Sequence, residues 1–181
     1  LDAMERHAHR HGPAADAGME AMNVSVDGLE ATHDRLRAVP GSHRAAMRAL
    51  GHIRAAGMLP QANTQFNRLN LPEVEPLGDS LLAAGAHAWQ VQVTGPMGRA
   101  ADRPDWLLQP YEMLDLVPRL GRLAERVRPL GMRVHAANNL GYYGPWEEVL
   151  RNGRYWQGCT AGRFVLGIEA DGSVKGCPSL P

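Results

Sequence analysis

The sequence predicts an α/β fold: a partial parallel β/α (TIM-like) barrel that runs into a short β-hairpin. Three features predict it. Short alternating runs take turns with helical runs along most of the chain, the pattern of βαβ units and a parallel sheet. Each of the first three strand runs carries amides and hydroxyls at alternate positions, so one face of the sheet is polar. The chain has 181 residues, fewer than the roughly 250 of a complete β/α barrel.

The first strand covers residues 22–27 and stops at Gly28. A helix over residues 42–56 follows, with Ser42 as its N-cap, Gly57 just past its end, and Ala46, Met47, Leu50 and Ile53 on one face. Residues 59–66 read as the second strand. Residues 71–84 form its helix, capped by Asn70 and stopped by Gly85, with Val74, Leu77 and Leu81 at helical spacing. Residues 87–94 give a third strand, 95–109 a long loop, and 111–130 a helix broken near Pro118, since proline lacks the N–H that continues a helix. Residues 132–137 make a fourth, short strand. Near the C-terminus, Asp171-Gly172 lies between two apolar runs and predicts a hairpin closed by a type I′ turn, whose two central residues both have positive φ.

The strand faces say more than the strands. With Val24 and Val26 toward the helices, Asn23, Ser25 and Asp27 point the other way; Gln61, Asn63 and Gln65 repeat this, as do Gln90, Gln92 and Thr94. A parallel sheet covered on both faces reads as near-continuous Val, Ile and Leu, and each buried unpaired amide costs about 1–3 kcal/mol. A barrel interior that holds a polar ligand resolves the conflict. The residues alone also permit a half-barrel whose inner face is simply wet.

Acidic and basic residues balance at 19 each, so no net field draws nucleic acid or an anionic membrane. No apolar run approaches the roughly 20 residues of a membrane span, and the N-terminal stretch is rich in His and Arg, so the expectation is a soluble, cytoplasmic protein. The first residue is Leu1 and the last residues are Cys177, Pro178, Ser179, Leu180 and Pro181, which reads as truncation at both ends. The two cysteines, Cys159 and Cys177, sit close in sequence, and in a reducing compartment such a pair favours metal or redox chemistry over a disulfide. Two unrelated buried thiols remain an open alternative. Thiolates are soft ligands for zinc or iron-sulfur clusters, but two do not complete a tetrahedral set.

The spacing from Cys159 through Gly172 to Cys177, with Thr160-Ala161-Gly162 and Asp171-Gly172 beside the cysteines, resembles the opening of a SPASM auxiliary-cluster domain, C-x(9–15)-G-x(4)-C. Upstream, Ser25-Val26-Asp27-Gly28, His33-Asp34 and Arg37 resemble the fourth barrel strand and following loop of radical S-adenosylmethionine (SAM) enzymes. Pro96-Met97-Gly98-Arg99-Ala100 is similar to a stretch after the sixth barrel strand in the same family, and the three pieces come in the family's order. The resemblance divides the chain into residues 1–150, the C-terminal part of the barrel, and residues 151–181, the start of the SPASM domain.

The resemblance implies an enzyme that reductively cleaves S-adenosyl-L-methionine to a 5′-deoxyadenosyl radical, using a [4Fe-4S] cluster and an external electron donor, to modify a peptide or small-molecule substrate, most often a peptide or protein side chain. The C-x-x-x-C-x-x-C that would hold that cluster is absent from the chain, so the chain by itself is expected to be inactive. Ser25 matches the position that bonds the SAM ribose or carboxylate, Asp27 sits two residues on, Arg37 suits the SAM carboxylate, and Asn63 is a further contact of SAM or substrate. Each has a plainer reading: Asp27-Gly28 as the strand's exit turn, Arg37 as a solvated side chain. Cys159 and Cys177 would ligate the auxiliary cluster. The alternative from another class is a non-catalytic metal- or iron-sulfur-binding module that retains part of a β/α barrel. His7, His9 and His11 contain an i, i+4 pair with no third ligand, and a solvated helix face is the commoner reading. Tyr142, Tyr143, Trp146, Tyr155 and Trp156 suit either a peptide contact or packing against the barrel.

Overall fold

The computed structural model describes residues 12–154 and 158–177; His7, His9, His11, Tyr155 and Trp156 lie outside them. Four strands, β1 (Ala21–Ser25), β2 (Leu59–Phe66), β3 (Ala88–Val93) and β4 (Arg133–Ala136), form one sheet in sequential order, each neighbouring pair parallel. Parallel neighbours need crossovers. Those crossovers carry α2 (Glu30–Arg37), α3 (Ser42–Ala55), α4 (Val74–Ala83) and α5 (Met113–Val127), with the short α1 (Pro13–Asp16) before the sheet and α6 (Glu147–Leu150) after it.

The core lies on one side of the sheet. Leu50, Phe66, Leu77, Leu81, Trp89, Leu116 and Leu120 are fully buried in one cluster. Alternation in β2 shows the division: Ala62, Thr64 and Phe66 are buried, whereas Gln61 and Asn63 are half-buried and Gln65 is exposed. Thr64 is the polar exception on the packed face, and its hydroxyl is satisfied twice, donating to the Val26 carbonyl and accepting from Trp89 Nε1 at 2.8 Å. Register carries the polar face from strand to strand. Asn23 stands opposite Gln61; Ser25 is opposite Asn63, Asn63 opposite Gln90, and Gln90 opposite His135; Gln65 is opposite Gln92.

Several local expectations are corrected. α2 was expected as loop; its low apolar content hid it, yet it buries His33 against the sheet end. Ser42 begins α3 instead of capping it. Gly41 occupies the N-cap position, and the Asp34 carboxylate of α2 does the capping, accepting the Gly41 and His43 amides and the Ser42 hydroxyl. Asn70 does not cap α4, because a 3₁₀ turn at Leu71–Glu73 intervenes and the Asn70 side chain is drawn under the sheet. Pro118 does not break α5. It lies inside the helix, past the first turn, but Leu116, Val117, Leu120, Leu123 and Val127 are buried, and that packing outweighs one missing backbone bond. The turn comes instead at Arg128–Leu130 and Gly131.

The hairpin exists as β5 (Gly167–Ile168) and β6 (Val174–Lys175), antiparallel and forming its own sheet. Its turn is not type I′. Gly172 alone has positive φ, and five residues connect the strands, closed by Gly172 N–H to the Glu169 carbonyl and Glu169 N–H to the Ser173 carbonyl. The Asp171 side chain instead accepts the Ser173 amide at 2.9 Å, an Asx-type closure. No helix among the described residues is long and apolar enough to cross a membrane.

Candidate functional site

A cavity of about 210 Å³ opens at the carboxyl ends of the strands, lined among others by Asp27, Arg37, Gln65, Asn67, Thr94 and Trp106. That end is where the loops of a parallel sheet converge and where ligands of such folds bind. Below it the sheet presents the row Ser25, Asn63, Gln90 and His135. Ser25 is exposed, and Asn63 Oδ1 is buried without a hydrogen-bond partner.

The cavity floor is built by side chains that bind backbone. Asp27 is 7% exposed; its Oδ1 accepts the Gln65 amide at 2.9 Å and its Oδ2 meets Arg37 Nη2 at 2.5 Å. Arg37 lines the cavity, and its Nε is buried with no hydrogen-bond partner. Asn70, fully buried, donates to the Asp27 and Gln65 carbonyls and accepts the Asn67 amide. Glu73 accepts Leu29 N–H and the Thr32 hydroxyl, holding the turn around Gly28, where φ is 149° and an added Cβ would come within 2.7 Å of Glu73 Oε2. Trp106 closes the rim, flanked by the Arg103 and Arg35 guanidiniums at 5.4 and 6.0 Å from its ring centre.

Three titrating groups frame this arrangement. Burial pushes His33 below the ordinary histidine range, and Arg37 and His43 lower it further while Asp27 and Asp34 oppose. Asp34 is held below the usual carboxylate range, chiefly by the His43 backbone amide. Burial also lowers His135, with Arg133 adding to it.

Of the residues read from sequence, Asp27 and Arg37 meet directly and both line the cavity, while Ser25 and Asn63 are paired in the next row down. Gln90 and Gln92 continue those rows on β3. His135 is not picked out by the sequence; His33 is read there only as part of the motif with Arg37, and Asn70 only as a helix cap. Extending the two-residue alternation into residues 132–137 would have found His135; an i, i+4 reading of 33 and 37 would have paired His33 with Arg37.

Cys159 and Cys177 are thiols with no disulfide between them. The Ala161 amide points at Cys159 Sγ at 3.5 Å, and Gly162 N–H reaches the Gly176 carbonyl at 3.0 Å, which joins the loop after Cys159 to the residue before Cys177. Among the described residues no three His, Cys, Asp or Glu side chains gather as a metal site. Tyr143 is buried, its hydroxyl donating to the Ala137 carbonyl, and Trp146 packs on the core, so these two take the packing role; Tyr142 is 81% exposed.

No protein-family model matches the chain. It is 35% identical over 97 residues to the AdoMet-dependent heme synthase of Nitratidesulfovibrio vulgaris, covering 53% of this chain and 26% of that protein. It is 37% identical over 87 residues to the AdoMet-dependent heme synthase of Oleidesulfovibrio alaskensis, covering 48% and 22%. With the sporulation killing factor maturation protein SkfB of Bacillus subtilis it shares 25% identity over 160 residues, 88% of this chain and 36% of that one. The chain therefore spans only about a quarter to a third of these curated relatives, and the matches support a relationship to radical SAM enzymes. Among solved structures, a xylose isomerase domain protein from Planctomyces limnophilus gives a TM-score of 0.33 at 16% identity, covering 65% of this chain and 51% of that one, a likeness too slight to bear on function.

Proposed function

We propose that this chain is the cofactor-facing part of a radical SAM enzyme: a segment of a partial β/α barrel whose uncovered polar face receives S-adenosylmethionine, followed by the start of a SPASM domain. The observation that carries the reading is a sheet with one dry face and one face of amides and hydroxyls, in a chain related to AdoMet-dependent proteins. The residues fit such a ligand. Asn63 Oδ1 is an acceptor without a donor and Arg37 Nε a donor without an acceptor, which suits a ligand with hydroxyls, an amine and a carboxylate.

Ser25 and Asn63 would bond the ribose and amino-acid portion, and Arg37, oriented by Asp27, would bind the carboxylate. Cys159 and Cys177 would provide two ligands of an auxiliary iron-sulfur cluster, and the Ala161 N–H beside Cys159 would temper the thiolate charge. The barrel's own [4Fe-4S] cluster, reduced by an external electron donor, would supply the radical chemistry when bound. The protein side chains described here bind and orient.

For the substrate we assign a peptide or protein side chain, supported by the match to a maturation protein over 88% of the chain. The second reading is a small molecule of haem synthesis, favoured by the shorter but closer matches. Isothermal titration with SAM tests the site. Ser25→Ala and Asn63→Ala should each weaken binding by about 1 kcal/mol, and Arg37→Ala by about 1.5–3 kcal/mol because its bond is charged. Unchanged affinity in all three variants would refute the assignment.

A further inference from the structure

Asp27 has every polar group engaged. Besides its carboxylate bonds to the Gln65 amide and to Arg37, its carbonyl accepts Asn70 Nδ2 at 2.7 Å and its N–H donates to His33 Nδ1 at 2.9 Å. The last bond sets a chemical condition. A ring nitrogen that accepts an amide proton carries none, so His33 is neutral and protonated at Nε2. The surroundings favour that state: His33 is 2% exposed, and the charged or titrating groups around it are Asp27, Arg37, Asp34 and His43, whose ring meets it edge-on at 5.6 Å.

His33 and Arg37 are four residues apart in α2 and share one face of that helix. One helix therefore grips Asp27 twice, by its backbone through His33 and by its carboxylate through Arg37. The intervening Asp34 reaches to the next helix and caps α3. The H-D-x-x-R spacing is thus a clamp with three separate grips.

We propose that His33 is a positioning residue: by accepting the Asp27 amide it fixes the turn on which Asp27 and Arg37 meet, and so holds the Arg37 guanidinium at the cavity wall. The proposal rests on the reading that this cavity binds SAM, and it deepens that reading by naming what sets the arginine.

The test uses His33→Asn, His33→Gln and His33→Ala in the otherwise unchanged chain, with SAM as the probe. An asparagine amide oxygen stands near the Nδ1 position and keeps the acceptor; a glutamine amide reaches the Nε2 position and does not. Asn should hold SAM affinity within about twofold, while Gln and Ala lose about tenfold, the equivalent of one stranded buried donor. Wild-type affinity should hold through the ordinary histidine range and fall only at lower pH, because burial holds His33 below that range and protonation then removes the acceptor; the Asn variant should show no such fall. Nitrogen-15 shifts of the wild-type imidazole should report an Nε2–H tautomer, a reading independent of SAM. An Nδ1–H tautomer, or equal affinity in the Asn and Ala variants, overturns the proposal. If wild type shows the Nε2–H tautomer but no SAM binding, the cavity assignment fails and the positioning of Asp27 stands. If the Ala variant does not fold, the Asn and Gln variants and the tautomer decide.

Discussion

Replacing Asn70 should cost more than any other single polar change near the cavity. Its side chain is fully buried and makes three bonds to backbone: Nδ2 to the Asp27 carbonyl at 2.7 Å, Nδ2 to the Gln65 carbonyl at 2.9 Å, and Oδ1 from the Asn67 amide at 2.7 Å. A buried hydrogen bond contributes about 0.5–1.5 kcal/mol net, and a stranded buried donor costs about 1–3 kcal/mol. Asn70→Ala loses all three bonds and strands the Asn67 N–H, so the expected loss is about 3–4 kcal/mol. In urea, with a slope of about 1–3 kcal/mol per molar, the midpoint should drop by roughly 1–4 M. Fluorescence of Trp89, buried in the core, gives the transition. Asn70→Asp sharpens the test, because it keeps the acceptor for Asn67 but turns a carboxylate oxygen toward two carbonyls. At neutral pH it should be less stable than the Ala variant. Only the protonated acid can donate there, so its folded-state pKa is raised and stability should return as pH falls and be lost again as pH rises through that pKa. A loss under 1 kcal/mol in the Ala variant, or an Asp variant as stable as wild type at pH 7, would refute the claim that Asn70 ties the exits of β1 and β2 together.

Gly121 lies in α5 directly under Trp146, and an added Cβ would fall 2.2 Å from the indole. Gly121→Ala should therefore lower the melting temperature, its overpacking cost of about 1–3 kcal/mol outweighing the gain of about 1 kcal/mol in helix propensity; a rise would mean that Trp146 moves aside freely. Gly51→Ala, exposed in α3 with nothing within 4 Å of the new methyl, is the control and should raise stability by up to about 1 kcal/mol. On the proposed reading, in a protein that carries this chain together with the barrel cluster, reconstituted without oxygen, Cys159→Ala or Cys177→Ala should each remove up to one cluster's iron while the barrel cluster persists. Wild-type protein holding zinc at these thiols and only the barrel cluster's iron would overturn the auxiliary-cluster assignment.

The sheet was legible because its signal has period two and survives in short runs. Alternation in residues 59–66 alone separates Ala62, Thr64 and Phe66 from Gln61, Asn63 and Gln65, and the structure buries the first set and not the second. Helix boundaries were less legible where a distant side chain decided them. Ser42 looks like a cap in isolation, but Asp34 supplies the cap from eight residues upstream. Pro118 looks like a break until the buried stripe of α5 is counted against it. Asp171-Gly172 looks like a type I′ turn because the dipeptide permits one; the pairing of Gly167 with Lys175 and Ile168 with Val174 leaves five residues to connect and removes the need for two positive φ values.

The candidate site divides along the same line. Ser25, Asn63, Gln90 and His135 belong to the sheet, so their shared face follows from alternation and register, and Asp27 continues it past the strand end. What alternation does not carry is how a carboxylate at a strand exit is kept in place. In this chain that depends on three side chains from elsewhere, His33, Arg37 and Asn70, each bonding a different part of Asp27. A two-residue period along β1 is blind to all three, since two come from a helix that the sequence hid and the third from the loop after β2. On the proposed reading the consequence is functional: Arg37 would be one more solvated guanidinium if Asp27 were free to swing. The Asp27 N–H, carbonyl and both carboxylate oxygens are each spoken for, so the Arg37 guanidinium that meets Oδ2 is held in one place, which on the proposed reading is the pre-organisation a binding site needs.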